Sequence, residues 1–532
     1  MKRYLVIALL LACVAGMQAQ RRNDFTPVRK LQIAEYAVKE LYVDTVNENK
    51  LVEAAIVGML KQLDPHSTYA TPEEVKKLNE PLQGNFEGIG VQFNMSEDTL
   101  MVIQPVSNGP SEKAGILSGD RIVTVNDTAI AGVKMSTEEI MRRLRGPKGS
   151  KVNLGVVRRG INEMLHFTVT RDKIPVHSVD AAYMLPGKIG YIKINSFGAT
   201  TVDEFNQAIA RLRKEGMKND LVLDLQGNGG GYLDAAVRLA NEFLDKGEMI
   251  VYTEGRKSPR NEFKAMGNGK MKNGRLVVLI DDFSASASEI VTGAIQDWDR
   301  GLVVGRRSFG KGLVQRPLDL PDGSMIRLTV ARYYTPSGRC IQKPYDNPEK
   351  YNEDLINRYN KGEMIHADSI HFPASQKFTT KKLGRVVYGG GGIMPDYFVP
   401  LDTTLYTPYH RQLLAKGAVI KSTLHYIDEH RKDLKATYKT FADFDKKFEV
   451  PQSLLDLVKK NGEDAGVKWD EAGYQKALPM LTLQLKALIA RDIWDMNEYF
   501  QVINRRDASL NKALELLSQP DFEKLMRKQP TK

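Results

Sequence analysis

Strand-like and helix-like patterns alternate along the middle of this chain, from about residue 187 onwards. The strands are expected at Ile189–Ile194, Leu221–Leu225 and Leu276–Ile280, and the helices near Val202–Lys214, near Leu233–Leu244 and after Ser286. Parallel strands must be joined by long crossover connections, which are usually helices. The alternation therefore predicts an α/β layer built on a mostly parallel sheet.

The regions that flank this layer have different patterns. Apolar residues such as Leu51, Ala55 and Met59 recur at helical spacing between Pro27 and Leu63, and they predict a small helical N-terminal domain. Short strand-like runs follow, together with one helix that the sequence caps with a serine, and they predict a compact β-rich module.

The second half of the chain carries two further segments. Residues 343–385 are polar and are expected to form a surface insertion in the α/β domain. Helical spacing returns after about residue 402, and Asp507 is expected to cap the last helix. The predicted divisions are 1–19, 20–84, 85–173, 174–401 and 402–532.

The length of the chain indicates how many domains it can form, and its charge balance bears on whether it binds nucleic acid. A chain of 532 residues has material for about three or four domains. Lys and Arg number 76 against 65 Asp and Glu, but the excess is scattered among acidic residues. Such a balance is typical of a solvated surface, and we predict no nucleic-acid partner.

The first residues have the pattern of a secretory signal. Lys2 and Arg3 precede an apolar run that ends at Met17, and Ala19 offers a small residue for cleavage. The run is shorter than the ~20 residues of a membrane-spanning helix. We therefore predict export to the periplasm, with lipoprotein anchoring through Cys13 as the alternative.

A candidate nucleophile follows the predicted strand Leu276–Ile280. The next residues are Asp281-Asp-Phe-Ser-Ala-Ser-Ala-Ser-Glu-Ile290. A buried strand that ends in small residues and opens a helix presents a hydroxyl to unpaired N–H groups and to the positive end of the helix dipole. This turn suits a serine nucleophile, and ordinary helix capping by serine is the alternative.

A candidate base lies in Ser308-Phe-Gly-Lys-Gly-Leu-Val-Gln315, where Lys311 stands between two glycines. A lysine that acts as a base near pH 7 must lower its pKa from ~10.4 by about three units, which costs ~4–5 kcal/mol. Only a dry site without a paired charge does this. An exposed loop lysine is the alternative.

Two glycine-rich turns can supply backbone N–H groups. The first is Leu221-Val-Leu-Asp-Leu-Gln-Gly-Asn-Gly-Gly-Gly231, which can stabilise an oxyanion but lacks the Gly-Lys-Ser/Thr of a phosphate loop. The second is Glu87-Gly-Ile-Gly-Val91, which can hold the terminal carboxylate of a peptide that pairs with the next strand. A tight turn without a ligand is the alternative for each. We predict no metal site, because the chain has no His-Glu-x-x-His motif and no Cys/His cluster.

Together these motifs resemble the carboxyl-terminal processing proteases, also called tail-specific proteases. The resemblance rests on the ordered set Leu63-Asp-Pro-His-Ser67, Gly88-Ile-Gly-Val91, Pro110-Ser-Glu-Lys-Ala-Gly-Ile116, Gly119-Asp-Arg-Ile-Val-Thr-Val-Asn126, Ser284-Ala-Ser-Ala-Ser-Glu-Ile290, Phe309-Gly-Lys-Gly312, Tyr334-Thr-Pro-Ser-Gly-Arg-Cys-Ile-Gln342 and Gly392-Ile-Met-Pro-Asp396. It implies a crotonase/ClpP-like α/β protease core at 174–401 with an inserted PDZ domain at 85–173 and helical regions at both ends.

The resemblance also implies site residues. Ser286 matches the family's nucleophile, Lys311 its general base and Gln315 the glutamine that orients the lysine. The remaining implied sites are an oxyanion hole from the N–H of Ala287 with that of Gly229 or Gly230, and a peptide-binding loop at Gly88, Ile89, Gly90 and Val91. No cofactor is implied, and Ser284 and Ser288 become helix-start serines.

The expected function is that of a periplasmic serine endopeptidase that cleaves proteins with apolar C-terminal tails near their C-termini. The chain departs from the family at the glycine turn, with Gln226 in place of arginine and Gly229 in place of proline. A PDZ-type peptide-binding scaffold with impaired catalysis is therefore one alternative, and an acyl-group enzyme of crotonase-like architecture is another, which the signal opposes. The C-terminal helices are candidates for binding a second copy or an adaptor.

Overall fold

The computed structural model describes residues 26–96, 98–404 and 406–527. The predicted signal at 1–19, with Cys13, lies outside these residues. The chain forms two compact units, each described by itself. The first comprises the described residues up to Pro72 together with Gln315–Thr329, and the second comprises Glu73–Val314 and the described residues from Val330 onwards.

The strands of the described residues are β1 (Thr68–Ala70), β2 (Asn85–Gly88), β3 (Val91–Ser96), β4 (Thr99–Pro105), β5 (Arg121–Val125), β6 (Thr128–Ala129), β7 (Lys151–Val157), β8 (Leu165–Thr170), β9 (Asp172–Pro175), β10 (Val179–Leu185), β11 (Ile189–Ile194), β12 (Leu221–Asp224), β13 (Met249–Gly255), β14 (Ser258–Lys264), β15 (Leu276–Ile280), β16 (Leu302–Gly305), β17 (Leu313–Asp319), β18 (Met325–Tyr334), β19 (Lys377–Thr379), β20 (Val386–Tyr388) and β21 (Tyr397–Phe398).

The α-helices are α1 (Pro27–Leu41), α2 (Glu48–Leu60), α3 (Pro72–Gln83), α4 (Pro110–Ala114), α5 (Thr137–Leu144), α6 (Thr201–Lys214), α7 (Leu233–Asn241), α8 (Ala287–Asp297), α9 (Pro348–Asn352), α10 (Asp354–Asn360), α11 (Pro408–Ala415), α12 (Ala418–Thr437), α13 (Phe441–Lys447), α14 (Gln452–Asp464), α15 (Glu471–Ile493), α16 (Met496–Ile503), α17 (Ala508–Ser518) and α18 (Phe522–Met526). Three short 3₁₀ turns lie at Ala367–Ser369, Ala374–Gln376 and Asn504–Arg506. None of the described helices is both long and apolar enough to span a membrane.

The first unit contains α1 and α2, as the helical spacing predicts, and β1 pairs antiparallel with β18. The predicted apolar face is not a buried one. Leu60 is the buried residue of α2, whereas Met59 and Leu63 are each 53% exposed. Helical spacing identifies a shared face but not what covers it.

In the second unit, the β-rich module is a sheet in the order β3-β4-β5-β7-β8, with β6 added beside β5. Leu100, Ile122 and Val156 are completely buried in its core together with Ile140 of α5. Ser136 caps α5 by accepting the N–H of Glu139, as predicted. Strand β3 lies at the edge and pairs only with β4 among the described residues.

The α/β layer is a sheet in the order β10-β11-β12-β15-β16-β21, in which only β10 runs antiparallel to its neighbour. The predicted parallel sheet is therefore confirmed, and β11 and β15 have the predicted bounds. Helices α6, α7 and α8 pack on one face, and α17 packs on the other. The carboxyl ends of β12 and β15 lie side by side, so the turns that follow them are neighbours.

The interpretation of residues 343–385 as a surface insertion is wrong for several of its charged residues. Lys343, Arg358 and Arg385 are 4%, 3% and 2% exposed. Each is buried with a carboxylate partner, Asp354 for the first two and both Asp299 and Asp396 for Arg385. A paired charge can be buried, and a polar composition does not reveal the pairing.

The tail after residue 402 is helical, as predicted. Leu481, Leu485 and Ile489 of α15 are completely buried in its core. Asp507 caps α17 by accepting the N–H of Leu510, although α17 is not the last helix, because α18 follows it.

Candidate active site

The turn between β15 and α8 holds three serines in different environments. Ser284 is buried, and its hydroxyl donates to the carbonyl of Leu225 at 2.8 Å. Ser288 is buried too, and its hydroxyl donates to the carbonyl of Asn228 at 2.8 Å. Ser286 is only half-buried. Of the three, it is the serine whose side chain a substrate can reach.

Ser286 has a backbone conformation that is rare for any residue except glycine, with φ 56° and ψ −111°. Such a conformation costs on the order of 1–3 kcal/mol and must be held by its surroundings. It places Ser286 at the N-cap of α8, directly after a buried strand. Strained strand-to-helix turns of this kind present the nucleophilic serines of α/β-hydrolases.

Glu289 joins the backbone of Ser286 to that of Lys311. Its Oε2 atom accepts the N–H groups of both residues, each at 2.9 Å. Its Oε1 atom accepts the N–H of Gly310 at 2.8 Å and the hydroxyl of Ser308 at 2.5 Å. The structure therefore brings the backbones of the two predicted catalytic residues to one carboxylate oxygen.

Burial raises the pKa of the Glu289 carboxyl to about 7, although these hydrogen bonds oppose the shift. Sequence reasoning assigned Glu289 no role. The available signal was its position three residues after Ser286, the spacing of a capping box.

Tyr333 of β18 forms a second bridge between the same two segments. Its hydroxyl lies 3.1 Å from the carbonyl oxygen of Ser286 and also hydrogen-bonds the carbonyl oxygen of Lys311. Burial raises the pKa of the Tyr333 phenol well above its usual value, so the hydroxyl keeps its proton and acts as a donor. Sequence reasoning missed this residue also, because no local pattern marks it.

The predicted oxyanion donors differ in availability. The N–H of Gly230 donates to Oδ1 of Asn228 at 2.8 Å. The N–H groups of Gly229 and Ala287 donate to no atom in the described ranges. The choice between Gly229 and Gly230 as the partner of Ala287 stays a prediction, because position 229 is the one at which the family has a proline, which has no N–H to donate.

The glycine turn packs directly against the nucleophile. A Cβ atom on Gly230, which has φ +104°, would lie 2.8 Å from the Cβ of Ser286. Asn228 of the glycine turn hydrogen-bonds the nucleophile turn, because its carbonyl oxygen accepts the N–H of Ala285 at 3.0 Å. Gln226, which replaces the family's arginine, donates to Asp507 of the tail at 3.1 Å.

Gln315 belongs to the first unit. Its amide donates to the hydroxyl oxygen of Thr329 at 3.3 Å, and Thr329 donates to Asp64 at 3.0 Å. The predicted role of Gln315 in orienting Lys311 stays a prediction.

The predicted peptide-binding loop lies beside the edge strand of the β-rich module. Gly88 ends β2, Ile89 is buried, Gly90 has φ +72°, and Val91 begins β3. The carbonyls of Ile89 and Gly90 accept hydrogen bonds from Ser111 and Val106 inside the module. The loop is thus fixed at the start of an edge to which a further strand can be added.

No group of three or more His, Cys, Asp or Glu side chains within the described ranges is arranged to hold a metal ion.

Four parts of the chain match models of known protein families. Peptidase family S41 matches residues 188–349, and the PDZ domain matches residues 88–173. The N-terminal domain of the activating protease CtpB matches residues 12–74, and a family of unknown function matches residues 409–495.

Relatives are similar over most of their length. The chain is 37% identical over 359 residues to the carboxy-terminal processing protease CtpA of Bacillus subtilis. The matched region covers 67% of this chain and 75% of the relative. It is 39% identical over 309 residues to the carboxy-terminal-processing protease of Bartonella bacilliformis. This match covers 57% of this chain and 70% of the relative.

Among solved structures, the photosystem II D1 C-terminal processing protease is 33% identical, with a TM-score of 0.33, and the match covers 58% of this chain and 89% of that one. The peptide-bound PDZ domain of a Vibrio cholerae carboxy-terminal protease is 32% identical, with a TM-score of 0.16. That match covers 17% of this chain and 97% of the PDZ domain structure. On the extent and identity of the sequence matches, this chain belongs to the carboxy-terminal processing proteases, serine peptidases of family S41 that carry a PDZ domain.

Proposed function

We propose that this protease is an exported endopeptidase that cleaves proteins near apolar C-terminal tails, with Ser286 as nucleophile and Lys311 as general base. One observation carries the assignment of the pair. A single oxygen of Glu289 accepts the backbone N–H of both residues. Two segments joined in this way can hold a hydroxyl and an amine in a fixed relation, which proton transfer between them requires.

The reaction follows from these roles. The neutral amine of Lys311 takes the proton of the Ser286 hydroxyl, and the oxygen attacks the peptide carbonyl. The N–H group of Ala287, together with that of Gly229 or Gly230, stabilises the oxyanion that forms. The Lys311 ammonium then gives its proton to the leaving amine, and water hydrolyses the acyl-enzyme by the same proton transfers in reverse.

The PDZ domain supplies the substrate selection. An apolar tail would add to the edge of β3 as a further strand, with its carboxylate on the loop from Gly88 to Val91. The unpaired edge of β3 and the fixed loop support this assignment. Export rests on the first residues of the sequence alone, and the tail helices are candidates for assembly or for an adaptor.

Replacing Ser286 by alanine tests the catalytic assignment. In purified full-length protein, Ser286→Ala should abolish cleavage of an unfolded protein with an apolar C-terminal tail, because no other hydroxyl of this turn is accessible. Binding of a fluorescent tail peptide should be unchanged, since the PDZ loop is untouched. Cleavage by the variant would refute the assignment. Tail binding without turnover by the unmodified protein would instead identify a scaffold.

A further inference from the structure

The insertion at 343–385 contacts the segment that carries the lysine. Arg358 of α10 directs its buried guanidinium at the backbone just before Lys311. Its Nη1 atom donates to the carbonyl of Ser308 at 2.8 Å, and its Nη2 atom donates to the carbonyl of Phe309 at 3.1 Å. Both contacts lie 2–3 residues before Lys311 in the chain.

The same segment is held from its other side by Glu289, which accepts the N–H groups of Gly310 and Lys311. The carbonyls of this segment are therefore held by the buried guanidinium of Arg358, and its N–H groups are held by the buried carboxyl of Glu289. Hydrogen bonds that involve a charged partner are about twice as strong as neutral ones. Neither partner belongs to this segment, residues 307–312, which we call the lysine loop. The conformation of the lysine loop therefore depends on both partners.

Further contacts keep the insertion in place. Asp354 forms an ion pair with Arg358, with Oδ2 lying 3.0 Å from Nε, and it accepts a hydrogen bond from the amine of Lys343 at 2.9 Å. The Lys343 amine lies 3.9 Å from the ring centre of Phe309, inside the lysine loop. Arg307 forms an ion pair with Glu363 of the insertion. The insertion thus contacts the loop at four of its residues, Arg307 to Gly310, counting the N–H that Lys343 donates to Gly310.

We propose that Arg358 is a positioning residue for Lys311, and that the insertion is a required support of the active site. This inference rests on the proposed role of Lys311 as general base. Removal of the guanidinium releases the carbonyls of Ser308 and Phe309, and the lysine side chain then loses its fixed relation to Ser286. The effect should fall on the chemical step and not on the capture of the tail.

The test compares Arg358→Met and Arg358→Lys in the purified full-length protein. Methionine keeps most of the side-chain volume but no donor, and a displacement of about 1 Å at a reacting group can cost about 100-fold in rate. We expect Arg358→Met to lower kcat by about 10–100-fold with KM changed by about twofold at most. Arg358→Lys should recover part of kcat, because an ammonium can still donate to one of the two carbonyls.

Arg300 provides the matched control. Its half-buried guanidinium also donates to three backbone carbonyls, those of Phe243, Met271 and Gly274. Arg300→Met therefore imposes a similar structural loss away from the lysine loop. If Arg358→Met lowers kcat no more than Arg300→Met at equal loss of melting temperature, or if its loss falls on KM, the inference is wrong.

Two further variants keep the result decisive. If Arg358→Met does not fold, Asp354→Asn weakens the anchoring of the same guanidinium, and an unchanged kcat in that variant overturns the inference. Lys311→Met separates the two proposals. Turnover by Lys311→Met would refute the proposed general base, whereas its inactivity together with a fully active Arg358→Met would refute only the role of Arg358.

Discussion

At the scale of single residues, the site is organised by side chains that do no chemistry themselves. Glu289 gathers four donors from the segments of Ser286 and Lys311, and it does so without any cation paired to it in these bonds. A buried carboxylate that depends on neutral donors for its stability has a raised pKa, which here is about 7. Its protonation state therefore changes near pH 7.

Glu289 should make the stability of the fold depend on pH. Its pKa is raised from 4.5 to about 7, so the folded state binds the proton more tightly than the unfolded state does. The stabilisation by this group is fully present below about pH 4.5 and is lost as pH rises through about 7, on the order of 3 kcal/mol. Urea unfolding across this range should show a decline that Glu289→Gln lacks. Parallel curves for the two proteins would contradict the burial of the carboxylate.

At the scale of secondary-structure elements, two turns form the site because their strands are neighbours. The turns after β12 and β15 follow adjacent parallel strands, so the glycine turn and the nucleophile turn meet at one edge of the sheet. Their contact is close enough that Gly230 leaves no room for a side chain. The absence of a Cβ at this position is thus a requirement of the site and not only of the turn.

Gly230→Ala should impair catalysis more than folding. The new Cβ would lie 2.8 Å from the Cβ of Ser286, and the residue would have to keep a φ of +104°. Because real Cβ contacts are never so short, the nucleophile turn must shift, and we expect kcat to fall by about 100-fold. Steady-state cleavage measures the loss, and tail-peptide binding to the PDZ domain is the control. Turnover close to that of the unmodified enzyme would show that the nucleophile turn can shift without loss of activity, and it would contradict this prediction.

At the scale of the second unit, the PDZ domain is joined to the helical tail. Arg121 of β5 forms an ion pair with Asp428 of α12 at 2.8 Å. Met101 and Ile103 of β4 form a small buried cluster with Leu424 of α12. The PDZ domain is therefore packed against a region that lies outside the protease core.

Leu424→Ala should loosen this contact. Truncation of a buried leucine costs about 2–5 kcal/mol, and here the loss falls on the cluster with Met101 and Ile103. Hydrogen exchange of the β4 amides should become faster in Leu424→Ala. Leu414→Ala is the matched control, because Leu414 is 38% exposed on the neighbouring helix α11. Equal exchange in the two variants would show that the cluster does not hold the PDZ domain.

Much of the fold could be predicted from local pattern. Apolar runs of strand length marked β11 and β15, since a strand buried on both faces is mostly apolar. Serine and aspartate at the predicted caps of α5 and α17 do cap these helices. The burial of Lys343, Arg358 and Arg385 in the insertion was not predictable, because local composition shows that residues are charged but not that their charges are paired.

Motif order and spacing were sufficient to identify the family, and they predict Ser286 and Lys311 as nucleophile and base, which stays a prediction. Partners from distant segments became visible only in three dimensions. Glu289 reaches Lys311 across 22 residues, Tyr333 reaches Ser286 across 47, and Arg358 reaches Ser308 across 50. A hydrogen bond depends on distance in space, and only packing of the sheet, of β18 and of the insertion brings these groups within about 3 Å of one another.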